Sequence, residues 1–73
     1  MPNNYKIEWS YKDGNGKRRT ESDVFFCELS ARDAVKKVFA DYSDYPDLRI
    51  EGVWRECTDC WDIVDSFLWE DID

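Results

Sequence analysis

No histidine occurs anywhere in the 73 residues, so the side chain that most often activates a nucleophile or moves a proton near neutral pH is missing. The glycine patterns that cradle phosphates, G-x-G-x-x-G and G-x-x-x-x-G-K-[ST], do not occur either, which leaves nucleotide binding of those kinds without support. No run approaches the ~20 apolar residues of a membrane span. The opening Met1-Pro2-Asn3-Asn4-Tyr5-Lys6 lacks a basic stretch leading into an apolar one, so no secretory leader is expected. The three cysteines cannot all pair within the chain, and a reducing, cytoplasmic setting fits them best. Basic residues are scarce in one half only: residues 41–73 hold two Lys/Arg against eleven Asp/Glu, whereas residues 1–40 hold eight against six. Free nucleic acid would be repelled by the second half, and a basic protein surface would be attracted to it.

What is present is enough for one core. A chain of this length buries roughly 60% of the surface it exposes when unfolded, and a single domain over residues 1–73 is expected. Aromatic residues make up 16% of the chain, and each ring can bury ~150–250 Å².

Tyr5, Ile7, Trp9 and Tyr11 alternate with Lys6, Glu8, Ser10 and Lys12, the pattern of a half-buried strand. Asp13-Gly14-Asn15-Gly16 follows, and an Asn-Gly turn centre predicts a hairpin that sets Tyr11 opposite Thr20, Trp9 opposite Ser22, Ile7 opposite Val24 and Tyr5 opposite Phe26. Ser30 with Asp33 three residues later forms a helix-start signature, with Leu29 placed to staple against Ala34. Ala31, Ala34, Val35, Val38, Phe39 and Tyr42 then mark a buried helical face. Leu48, Ile50 and Trp54 alternate with polar residues in a third strand, in which Gly52 breaks the pattern and suggests a bulge. From Thr58 onward two readings stand. Cys60, Ile63, Val64, Phe67 and Leu68 fit a helical face, the favoured reading, while Trp61, Ile63, Val64, Phe67 and Trp69 are strand-prone types. The fold class is therefore α+β: a small antiparallel sheet, made of the N-terminal hairpin and a third strand, packed on one helix, with a C-terminal helix or extra strand.

Cys57-Thr58-Asp59-Cys60 has the spacing of a metal-binding or redox pair, and Cys27 could add a third ligand. Without histidine a four-ligand zinc site would need a carboxylate, and ordinary small half-buried residues are the favoured reading, ahead of zinc or a disulfide. Asp41, Asp44, Asp47 and Glu51 do not match the ligand positions of a calcium loop. Neither a metal nor a cofactor is expected, and neither is enzymatic activity. Lys17-Arg18-Arg19 reads as a solvated hairpin tip, and Arg32, Lys36 and Lys37 as the outer side of the helix.

The acidic half remains. Asp41, Asp44 and Asp47 recur every third residue, as do Asp59, Asp62 and Asp65, and Glu70 and Asp71 follow near the end. On a helix such residues lie ~5–6 Å apart, a spacing suited to a groove that holds a phosphate backbone. Tyr42, Tyr45 and Trp69 are interleaved with them, and rings of these types are the usual anchors of interfaces. These eleven residues form the candidate partner-binding set.

In size, acidity and hairpin-plus-helix layout, across all 73 residues, the chain resembles the small proteins that phages and mobile elements make against host defence, notably anti-CRISPR proteins. The resemblance implies a stoichiometric inhibitor, one that mimics DNA or occludes the nucleic-acid groove of a CRISPR effector in the host cytoplasm. The other expectation is a structural or regulatory interaction module, such as a homodimer joined through exposed aromatics.

Overall fold

The computed structural model describes residues 2–70. Its elements run β1 (Asn3–Lys12), β2 (Arg18–Glu28), α1 (Ala31–Asp41), β3 (Arg49–Glu56) and β4 (Trp61–Ile63), then a 3₁₀ turn, Ser66–Leu68. The sheet order is β2-β1-β3-β4, every pair antiparallel, and α1 covers one face. This is the expected α+β arrangement, with the tail supplying a fourth strand. No helix among the described residues is long and apolar enough to cross a membrane.

The alternation in β1 sets the core. Tyr5, Ile7, Trp9 and Tyr11 are all buried, and they pack against Ala31, Ala34, Val35 and Val38 of α1 and Val53 of β3. Ser30 caps α1 as expected, its hydroxyl accepting from the Asp33 N–H at 3.1 Å. Leu29 does not form the expected staple; it is 75% exposed. Behind α1, Glu28 is buried and its carboxylate accepts from Lys37 Nζ at 2.5 Å.

The hairpin register differs by one residue from the one predicted. Trp9 faces Glu21 and Ile7 faces Asp23, and the last pair before the loop is Lys12 with Arg18. The loop is thus five residues long, and Asp13 organises it: one carboxylate oxygen accepts the N–H groups of Asn15 and Lys17, while the other accepts from Arg19 Nε. Gly16 takes the left-handed backbone conformation, φ 77°. This loop replaces the two-residue Asn-Gly turn, and a one-residue slip exchanges the faces of a strand. Glu21 and Asp23 therefore lie on the helix side, with Val24 and Phe26 on the opposite face.

A bulge does occur beside Gly52. Glu8 pairs with Gly52 but Trp9 pairs with Ile50, so Glu51 is the extra residue of β3. The shift sends Val53 into the core and Trp54, expected on the same face as Ile50, to the face that α1 leaves open. There the Trp54 ring lies over Gly52, and Lys6 Nζ sits 5.1 Å from the Trp54 ring centroid and 5.8 Å from that of Trp61. On the same face, Arg18 donates to Ser10 Oγ at 2.7 Å and Ser10 donates to Glu51 at 2.5 Å, a polar tie across three strands.

The missing side chain at position 52 has a measurable consequence. A Cβ there would lie 2.5 Å from Trp54 Cη2 and 2.9 Å from Cζ3, so Gly52→Ala must displace the ring from its stack with Lys6. Overpacking of this kind costs about 1–3 kcal/mol, and the expected result is a loss of that size in urea unfolding followed by tryptophan fluorescence. Unchanged or increased stability would show that the ring moves without cost.

Candidate docking surface

The candidate residues fall into two groups at opposite ends of the sheet. Asp41, Tyr42, Asp44, Tyr45 and Asp47 lie at the hairpin-loop end, where the Lys12 N–H donates to Pro46 O at 2.9 Å. Asp59 lies in the β3–β4 turn at the other end, and the chain then doubles back along β3: Asp62 pairs with Arg55, Asp65 follows Val64, whose N–H donates to Val53 O at 2.9 Å, and Trp69 and Glu70 follow the 3₁₀ turn. Asp71 lies outside the described residues. The eight residues of β3 separate Asp47 from the turn that holds Asp59, a run of about 26 Å at ~3.3 Å per residue, in a molecule 40 Å long. One continuous acidic face is therefore not formed.

At the hairpin-loop end Tyr42, Tyr45 and Asp47 serve the fold, whereas Asp41 and Asp44 are exposed and belong to no ion pair among the described residues. Tyr42 is half-buried and caps α1 at its C-terminus. Its ring packs 5.2 Å from Trp9, 5.3 Å from Tyr11 and 5.4 Å from Tyr45, closing the core. Asp47 pairs with both Arg18 and Arg49. Two of the three basic residues at the hairpin tip are likewise occupied, Arg18 by Asp47 and Arg19 by Asp13. Glu21 reaches across from β2 and accepts from the hydroxyls of Tyr11 and Tyr42.

The other end has a different character. Residues 56–70 contain five carboxylates, Glu56, Asp59, Asp62, Asp65 and Glu70, and no Lys or Arg. Among the described residues none of the five belongs to an ion pair. The helix expected here is not formed: Asp59 is in the β3–β4 turn, Asp62 is in β4 and Asp65 precedes the 3₁₀ turn, so the three carboxylates do not make a helical row. Cys57 and Cys60 are joined as a disulfide across that turn, not the ordinary separate residues expected, and Cys27 is a free, exposed thiol on β2. Trp69 is half-buried against the core, with its Nε1–H donating to Val64 O at 3.4 Å, so it is a packing residue and not a free anchor.

The anchors at this end are aliphatic as much as aromatic. A cavity of about 330 Å³ opens between the start of α1 and the tail, lined by Tyr5, Leu29, Ala31, Arg55, Ile63 and Leu68, with Asp62 and Asp65 also in its lining. Ile63 is 72% exposed and the neighbouring Phe67 69%. The volume suits one or two large side chains. Leu29, Arg55, Ile63, Phe67 and Leu68 were absent from the expected set; the one sequence signal for them was a leucine beside a helix cap whose staple partner, Ala34, was small. No family model, curated protein or solved structure matches the chain.

The Tyr11–Glu21–Tyr42 contact makes stability fall at alkaline pH. Hydrogen bonding to Glu21, with burial and the negative charge beside it, pushes Tyr11 from 10.0 up to about 12 and raises Tyr42 for the same reasons. Folded Tyr11 keeps a proton that the unfolded chain gives up above pH ~10, so ionisation favours unfolding between about 10 and 12. The contribution is complete below that window and lost across it. Tyrosinate absorbance should show two late-titrating tyrosines, with the urea midpoint dropping over the same interval. Glu21→Gln should return both tyrosines toward 10.0.

Proposed function

We propose that the protein is a stoichiometric, non-catalytic inhibitor of the anti-CRISPR kind, whose Glu56–Glu70 end docks on a basic nucleic-acid-binding surface of a host effector and excludes its substrate. The observation that carries this reading is the coincidence, along the β3–β4 turn, β4 and the tail, of five carboxylates in no ion pair among the described residues and a cavity rimmed by exposed apolar side chains. Unpaired carboxylates accelerate the approach of a basic surface, and a cavity that receives an apolar side chain slows its departure. An interface needs both, since exposed charge pairs alone contribute little. The grouping at one end favours occlusion of part of a groove over imitation of a long duplex, because the acids at 41–47 face a different region of space. The protein acts in the cytoplasm on this reading.

The face left open by α1 favours a second reading, self-association, since it carries the exposed Phe26 on β2 and, across β1, the Trp54 and Trp61 rings that Lys6 contacts.

The test is displacement of labelled DNA or guide RNA from a panel of purified CRISPR effectors, at low and high salt. Inhibition saturating at one chain per effector and weakening with salt is expected. Each exposed charge pair contributes about 0.2–1 kcal/mol, so neutralising Asp59, Asp62 and Asp65 together to Asn should weaken binding roughly 3- to 150-fold. Inhibition that ignores both salt and these substitutions would reject the docking reading. Sedimentation equilibrium decides the second: a stable dimer dissociated by Phe26→Ser would favour it.

A further inference from the structure

The β3–β4 turn carries chemistry that docking does not use. Cys57 and Cys60 flank Thr58-Asp59, and the Cys57 N–H donates to Cys60 O at 2.9 Å. Their Cα atoms are 5.3 Å apart and their sulfurs are bonded. One residue into β4, Asp62 holds a carboxylate oxygen 3.9 Å from Cys60 Sγ. The two sulfurs and this carboxylate all lie within 4.8 Å of one another.

Three ligand atoms therefore converge at one exposed turn. A tetrahedral zinc ion takes thiolate at about 2.3 Å and carboxylate at about 2.0–2.2 Å, which places two sulfurs about 3.8 Å apart. Rotation about the Cα–Cβ bonds can supply that separation once the sulfurs are no longer bonded. The sequence asked for a carboxylate to complete any zinc site in a chain without histidine, and the pairing of Arg55 with Asp62 brings one to the cysteines. Cys27 takes no part, because β1 and β3 lie between β2 and β4, three strand spacings or about 14 Å. Thiolate ligands select a zinc-class ion over magnesium or calcium.

We propose that the reduced turn is a zinc-class cation site formed by Cys57, Cys60 and Asp62, and that the disulfide is its oxidised, metal-free state. The interconversion balances. Two electrons and two protons from a dithiol reductant turn the S–S bond into two thiols; the divalent ion then displaces the two thiol protons and binds the Asp62 carboxylate. A disulfide oxidant reverses the sequence, taking the two electrons as the S–S bond re-forms and the ion leaves.

The experiment uses the full chain, reduced with a phosphine and titrated without oxygen with Co²⁺ as a spectroscopic substitute for zinc. The expected result is thiolate-to-cobalt charge-transfer absorption that saturates at one ion per chain, is displaced by Zn²⁺ and is missing from the unreduced protein. Cys60→Ser should abolish it. Loss of a mere outer partner of a metal ligand costs 10–100-fold, so Asp62→Asn should weaken binding by at least about tenfold, whereas Asp59→Asn should match the parent. Far-UV circular dichroism of each variant separates lost ligation from lost fold, the turn being at the surface. Absence of the absorption from the reduced parent, saturation at one ion per two chains, or equal affinity in Asp62→Asn overturns the proposal.

Discussion

The fold depends on the row Tyr5, Ile7, Trp9 and Tyr11 being held against α1. β1 is bordered on both sides, by β2 and β3, and its row is the centre of the apolar surface on which α1 packs, with Val53 of β3 beside it. Each neighbour's register therefore decides what reaches the core and what faces outward. On one side Asp13 makes that decision by closing a five-residue loop with its own carboxylate; its pairing with Arg19 and the loop N–H groups holds that carboxyl below the usual range. On the other side the decision belongs to the bulge at Glu51, which turns Val53 inward and Trp54 outward.

Interactions within a few residues of one another were legible. The alternation in β1 and the Ser30–Asp33 cap are local patterns, and they appear where the sequence implies them. The hairpin register was not legible because Asn-Gly scored as a two-residue turn competes with an Asp whose side chain can cap a longer loop, and the two outcomes differ by one residue. In the tail, Ile63, Val64 and Phe67 satisfy helical spacing and strand propensity alike. The contest is decided from outside the segment, by the hydrogen-bonding edge of β3 and by the turn that Cys57 and Cys60 close. Neither influence can be read from the periodicity of the tail itself.

The candidate site was misjudged for a related reason. Acids at 41–47 and 59–65 are near one another in sequence, and pooling them into one face is natural until the eight residues of β3 run between Asp47 and the turn at Asp59. Part of the set is then drawn into the fold: Tyr42 closes the core and Asp47 is held by two arginines. The carboxylates of residues 56–70 belong to no ion pair among the described residues, and that stretch contributes no basic side chain of its own. Charge segregation in sequence was a sound guide to where the unused charge would lie. It could not reveal the cavity, whose lining comes from β1, the α1 cap, β3 and the tail.

The cysteine turn and the acidic end are neighbours, and their coupling is one of shape more than charge. A disulfide is neutral, and so is a divalent ion on two thiolates, so exchanging one state for the other leaves the net charge of this end unchanged. What changes is Asp62. In the oxidised turn its carboxylate is open to a basic partner, whereas a bound cation would take it as a ligand and fix it in place. Asp62 also lines the cavity beside Ile63, so the same act would alter the mouth into which a partner's apolar side chain must fit. A three-residue edge strand has little pairing of its own to resist such an adjustment. The turn is thus a place where a change in redox state or metal supply could reach the docking surface without disturbing the core beneath α1.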